Sequence, residues 1–178
     1  PHNLIATTNM EDALLGSDAI IIAATSSILR DVVRQAAPYI QPHHLLIHAT
    51  KGFEHDTLLR SSEVISDELA NRYLNQKIVV LSGPSHAEEV IHKHPTTIVV
   101  ASYDFTSAKE AQRLLMTPNF RIYTNQDVIG VELAGSLKNI IALGAGMSDG
   151  LGFGDNAKAA LITRGLTEIS RLGRALGG

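Results

Sequence analysis

Two lysines and one strand-to-helix turn supply the residue types that could do chemistry in this sequence. Lys138 stands in the run Gly130-Val-Glu-Leu-Ala-Gly-Ser-Leu-Lys138-Asn139. At helical spacing it shares a face with Val131, Ala134, Ile141, Ala142 and Ala145, and it is the one charge on that apolar stripe. Glu132, Ser136 and Asn139 form a polar edge beside it. An ammonium held among small apolar groups is partly desolvated, which lowers its pKa towards the range useful in proton transfer. The same spacing also fits a surface lysine whose stem packs while its head reaches water. Lys51 follows the apolar run from Leu45 and precedes Gly52. A cation there points into the crevice beyond a strand end, where open α/β sheets bind ligands, although an exposed loop lysine fits as well. Ser82-Gly83-Pro84-Ser85 leads from strand to helix and could offer amides and a hydroxyl to an anion. A turn with a serine cap explains those residues equally.

The motifs around these residues narrow the choice. Gly130 to Asn139 is followed by Gly152-Phe-Gly154-Asp155-Asn156-Ala-Lys-Ala-Ala-Leu-Ile-Thr-Arg164-Gly165. Upstream lie Ala49-Thr50-Lys51-Gly52-Phe53-Glu54 and Ser82-Gly83-Pro84-Ser85-His86-Ala87-Glu88-Glu89. Together, in this order and approximate spacing, they resemble the bacterial NAD(P)-dependent glycerol-3-phosphate dehydrogenase family over nearly the whole chain. The resemblance implies reduction of dihydroxyacetone phosphate to sn-glycerol 3-phosphate with NADH or NADPH, for glycerophospholipid synthesis. It implies that Lys138 is the catalytic proton donor and that Lys51, Gly83, Ser85, Lys138 and Asn139 contact the substrate. It assigns Lys51 and Ala87 to the NAD or NADP cofactor, and a homo-oligomeric (homodimeric) enzyme is expected. Departures exist: Thr25-Ser26 stands where the family usually has Pro-Ser, and His86 sits at a family position that varies. The glycine-rich pyrophosphate loop and the later motif with the substrate-binding arginine do not occur in these residues. The chain therefore looks like a central fragment, expected to be inactive alone, to bind NAD(P)H weakly or not at all, and to self-associate. The alternatives are another dehydrogenase of the same architecture acting on a different hydroxy acid or sugar, and a non-catalytic nucleotide-binding module.

The elements that would position these residues can be read in order. Asn3 to Thr8 suggests a short strand, and Asn9 to Leu15 a short helix stopped by Gly16. Ala19 to Ala24, Leu45 to Thr50 and Lys77 to Ser82 are apolar runs that suit strands buried on both faces of a parallel sheet. Between them, a helix capped by Thr25 or Ser26 would bury Ile28, Leu29, Val32 and Val33 and end at Pro38. A second, from about Thr57 to Asn71, would bury Leu58, Leu59, Val64, Ile65 and Leu69. Ser85 would cap a helix from Glu88 to His92, with Glu88 and Glu89 favoured by its dipole. Thr96 to Ala101 is a strand, Ser107 to Met116 a helix and Phe120 to Tyr123 a short edge strand. This alternation predicts a doubly wound, Rossmann-like parallel α/β sheet over residues 1–125, lacking its first strand and glycine loop. Two long helices, Val128 to about Gly150 and Asp155 to Leu176, begin an all-α substrate domain at 126–178, the second capped by Asp155-Asn156.

Composition bounds the remaining classes. Net charge is −3 and no basic run occurs, which speaks against nucleic acid as a partner. Cys 0 removes disulfides and cysteine-ligated metals. The eight histidines include His43-His44 and His92-Lys-His94, each in a polar turn without a dependable carboxylate partner, so no metal site is expected. His48, late in a buried strand, reads as a satisfied interior residue, and Arg164 as an ion-pairing partner within the helical part. No apolar run approaches the roughly 18 residues of a membrane span, so a soluble cytoplasmic protein is expected. Seven of the 14 glycines fall between Gly130 and Gly154, which suggests close packing against another backbone or a ligand.

Overall fold

The computed structural model describes residues 3–70 and 77–178. Five strands form one sheet in the order β1-β2-β3-β4-β5: Ala19–Ile22, Leu45–His48, Lys77–Ser82, Thr96–Ala101 and Phe120–Asn125. Around it run α1 (Met10–Leu14), α2 (Leu29–Ala36), α3 (Ser61–Ala70), α4 (Ala87–Ile91) and α5 (Phe105–Leu115). Two long helices, α6 (Val128–Gly150) and α7 (Gly154–Ala175), follow and pack on each other.

β2 shows why the apolar runs become central strands. All four of its residues are buried, and alternate side chains enter different cores. Leu46 joins Leu29, Val33, Val64, Ile65 and Leu69 from α2 and α3. Leu45 and Ile47 instead join Val79, Ile98, Val100, Ala111 and Ile122 beside α5. Burying an aliphatic side chain in such a core contributes about 1.5–3 kcal/mol relative to leaving it exposed. β1 differs from expectation. It is an edge strand among the described residues, and Ile21 remains 53% exposed.

The sheet is not wholly parallel. β1, β2 and β3 run parallel, β4 runs antiparallel to β3, and β5 runs parallel to β4. The cause lies in the connection. α4 is only five residues long, ends at Ile91, and is followed by Lys93, which takes a left-handed φ of 59°. Parallel neighbours need a crossover of a dozen or more residues over the sheet, usually through a full helix. The short α4 turns the chain back instead.

Other expectations shift at element ends. Residues 3–8 form no strand; Leu4 and Ile5 are exposed and no described strand pairs with them. α2 starts at Leu29 with no side-chain cap: Thr25 Oγ1 bonds Ser27 Oγ instead, and Ile28 is exposed. α3 begins at Ser61, because Leu58 adopts a φ of 58° in a turn where the Glu54 amide bonds the Leu59 carbonyl. Leu58 is consequently exposed, and Asn71, the expected end, lies outside the described residues. Ser85 does not cap α4, and α7 starts at Gly154, so Asp155 sits in its first turn rather than at its cap. Asp104 and Asp127 do cap, accepting from Thr106 and Ser107 and from Gly130. Glu88 and Glu89 occupy the first turn of α4, and Arg164 pairs with Glu168 at 2.8 Å, both as anticipated.

An ion cluster fastens α2 to the loop and helix after β2. Arg30 grips Glu54 with two bonds, 2.7 and 2.8 Å, and also meets Asp67 and Glu68; Arg34 shares Glu68. The Arg30 hydrogen bond, helped by one from Thr57, holds the Glu54 carboxyl down at about 2 against an ordinary 4.5. A carboxyl lowered in the folded state stabilises it above the unfolded pKa and loses that effect as pH falls through the folded one. Thermal stability is therefore expected to fall between about pH 4.5 and pH 2. Circular dichroism melts should show that acid limb shrinking in Arg30→Met. An unchanged limb would rule the cluster out as its source.

Contrary to the expectation from the sequence, α6 is by length and composition apolar enough to cross a membrane, although Glu132, Lys138 and Asp149 punctuate it. Its first half is nevertheless docked on the sheet: Val128 and Val131 pack with Val80 and Ala101.

Candidate active site

α6 arrives at the strand ends through one close approach. A Cβ on Gly135 would lie 2.6 Å from Ser82 Oγ, so α6 meets the end of β3 where only a glycine fits without displacing that serine. Gly83 takes a φ of 146°, and a Cβ there would stand 2.9 Å from the Ile98 Cα, a backbone contact that cannot yield. Within the glycine cluster Gly135 and Gly144 are closely packed, but against the side chains of Ser82 and Leu161 rather than another backbone; Gly146, Gly150, Gly152 and Gly154 have open space on the Cβ side.

One turn after Glu132, the Ser136 hydroxyl donates to the Glu132 carbonyl at 2.9 Å and accepts from the Gly52 amide at 3.0 Å. The second bond ties α6 to the loop beyond β2, where Thr50 Oγ1 also donates to the Ala24 carbonyl. Lys138 stands two residues beyond Ser136, and Lys51 one residue before Gly52. The two cations thus share one site. Lys138 is lowered from the ordinary lysine value, first by desolvation and then by the charge of Lys51. Among the described residues neither lysine has a carboxylate partner within 4 Å.

The neighbouring face of α6 corrects the stripe read from spacing. Ala134 and Ala142 are exposed, whereas Glu132, Leu133 and Gly135 are buried, so the docked face takes Val131 from the stripe and Glu132 from the polar edge and leaves Asn139 outside. Glu132 is the buried acid of that edge. It accepts from the Ser62 amide at 2.8 Å, the Ser62 hydroxyl at 2.7 Å and Arg60 Nη1 at 2.7 Å. Glu63 returns to the Arg60 amide at 2.8 Å and to its guanidinium at 2.7 Å. Burial works to raise the Glu132 carboxyl, but neighbouring His48 and the Ser62 donors outweigh it, leaving it below the usual carboxylate range.

His48 is fully buried, as expected, but it is not satisfied. Its Nε2 lies 3.3 Å from Glu132 Oε1 without the alignment of a hydrogen bond, and Nδ1 has no partner among the described residues. This network escaped the reading of motifs. Glu132 was visible on the polar edge, while Arg60, Ser62 and His48 come from separate segments with no local pattern joining them.

The remaining candidates are less tightly assembled. Ser85 is half-buried, and Ala87, in the first turn of α4, is exposed. Asn139 is exposed beside Ala142, Leu143, Gly146 and Met147. No hydrogen bond joins these three to the lysines among the described residues.

Comparison with known proteins gives the family. Residues 1–108 match the family described as NAD-dependent glycerol-3-phosphate dehydrogenase N-terminus, and residues 127–178 match its C-terminus. The chain belongs to the NAD-dependent glycerol-3-phosphate dehydrogenase family. It is 53% identical over 176 residues to glycerol-3-phosphate dehydrogenase [NAD(P)+] of Bacillus velezensis, covering 99% of this chain and 51% of that protein. The Bacillus subtilis (strain 168) protein of the same description is 55% identical over 172 residues, 97% of this chain and 50% of its own length. The crystal structure of glycerol-3-phosphate dehydrogenase from Coxiella burnetii matches with a TM-score of 0.86 at 39% identity, over 100% of this chain and 53% of that one. The chain thus spans about half the length of the curated relatives it matches.

Proposed function

We propose that the full-length protein reduces dihydroxyacetone phosphate to sn-glycerol 3-phosphate, using NADH or NADPH, and so feeds glycerophospholipid synthesis. The observation that carries this reading is the pairing of Lys138 with Lys51 at the ends of the parallel strands, with no carboxylate within 4 Å of either among the described residues. Two uncompensated cations suit an anionic, phosphorylated substrate. A depressed ammonium among them suits proton transfer to a developing alkoxide. Lys51 is exposed and Ala87 presents a small side chain at the first turn of α4, so both fit contact with an anionic dinucleotide. The bound nicotinamide supplies the hydride.

This chain's own residues then divide the work. Lys138 gives its proton to the carbonyl oxygen as it becomes a hydroxyl, and takes it back in the reverse direction. Lys51 draws the substrate oxygens to the crevice, and Asn139, Gly83 and Ser85 complete their contacts. Residues 1–125 serve as the dinucleotide-binding domain and 126–178 open the substrate domain. A cytoplasmic homo-oligomer, without membrane or nucleic acid as partner, completes the reading.

The test is the loss of nicotinamide absorbance on adding dihydroxyacetone phosphate to the full-length protein. Absence of turnover with both NADH and NADPH would refute the assignment. In the same assay Lys51→Ala should raise the KM for substrate and for cofactor together. Added salt should reproduce part of that loss, because an exposed ion contact is screened within about 10 Å at 0.1 M. Unchanged KM values would return Lys51 to the surface.

A further inference from the structure

We infer that Glu132 and Ser136 are positioning residues that hold Lys138 against Lys51, and that this hold sets the protonation range of the catalytic lysine. The inference rests on the proposed role of Lys138. Glu132 is the buried acid on α6, and its carboxylate is shared by three donors from the start of α3 and by His48 at the end of β2. Ser136, one turn later, binds the amide that follows Lys51. Between them these two residues join α6 to α3, to β2 and to the Lys51 loop.

The geometry makes this more than a fold contact. The first tie lies six residues before Lys138 and the second two residues before it, on one continuous helix. A helix anchored at both points cannot rotate Lys138 away from Lys51 without breaking one of them. Both causes that lower Lys138, desolvation and the Lys51 charge, depend on that approach. The clamp therefore acts on Lys138 through position. The charged and titratable groups facing the clamp are Arg60 with its partner Glu63 from the α3 end, and His48 from β2. Lys51 is the one charge that acts on Lys138.

The sign of the effect follows. Loosening the clamp lets Lys138 regain water and distance from Lys51, so its pKa rises. In the reductive direction the ammonium is the active form, and activity falls as pH passes through that pKa. Glu132→Gln and Ser136→Ala should therefore move the basic limb of the kcat–pH profile upward. A mere field effect of deleting the Glu132 charge would move it downward.

The experiment measures kcat, both KM values, the pH profile and Tm for the full-length parent, Glu132→Gln, Ser136→Ala and Lys138→Met. The expected result is a kcat about tenfold lower in Glu132→Gln, as befits a misplaced proton donor. KM values should stay within about threefold, and the basic limb should shift upward in both clamp variants. A lower Tm with kcat and limb unchanged, or a limb that moves down, overturns the inference. If Glu132→Gln gives no soluble protein, the uncharged Ser136→Ala decides by the same two measures. Lys138→Met separates the levels. Parental turnover there removes the catalytic reading and this inference together, whereas a dead Lys138→Met beside unaltered clamp variants removes the clamp alone.

Discussion

Lys138→Ala in the full-length enzyme is expected to lower kcat by roughly 10² to 10⁴, the usual contribution of a positioned general acid–base group. The fold should be untouched. Lys138 holds no ion pair among the described residues, and both its desolvation and the charge of Lys51 disfavour its ammonium, so truncation removes little support. Substitutions of that kind usually change stability by no more than about 0.5 kcal/mol. Lys138→Arg should be almost as inactive, because a guanidinium keeps the charge yet cannot release its proton. Steady-state turnover with dihydroxyacetone phosphate, read beside a circular dichroism melt, checks both halves. Turnover within about threefold of the parent would end the assignment.

Glu132→Ala should produce the largest loss of stability among substitutions at this site. Its carboxylate is buried and takes three hydrogen bonds, one from a guanidinium that is itself largely covered. Removing one member of a buried ion pair typically costs about 3–5 kcal/mol, since the partner is left uncompensated. For a domain of this size that corresponds to a Tm roughly 10 °C lower. Urea unfolding of the parent and the variant would measure it. A difference under about 1 kcal/mol would mean that Arg60 and Ser62 find water once the acid is gone. Because the Glu132 carboxyl is lowered on folding, its contribution should also fade as pH drops below the ordinary carboxylate range.

The sequence made the sheet legible because its strands are unbroken apolar runs, and β2 and β3 appear where Leu45 and Lys77 begin them. The helices α6 and α7 were equally plain from their length. The strand direction at β4 was not, since nothing in Thr96 to Ala101 records which way its neighbour runs. That depended on the length of α4 and on the left-handed backbone at Lys93. Capping was misjudged at Thr25, Ser85 and Asp155 for one reason: a residue suited to a cap acts only if the helix starts beside it. The lysines of the site were found from solitary charge and strand-end position, and the family motifs joined them. The clamp was missed because its members lie some 70 to 84 positions apart, where only the folded chain makes them neighbours.

Those separations bear on how the molecule assembles. Ala19 pairs with Leu45 and Thr96 with Phe120, so each strand closes on one not far behind it in the chain. The bond from Gly52 to Ser136 spans 84 positions. By loop-closure entropy it is dearer than a pairing across about 25 positions by only roughly 1 kcal/mol. The sheet can therefore form by successive short closures, and the one long closure comes when α6 settles onto finished strands. The lysine pair is made by that last step. A chain with a complete sheet and α6 undocked would hold Lys51 and Lys138 and yet never bring them together.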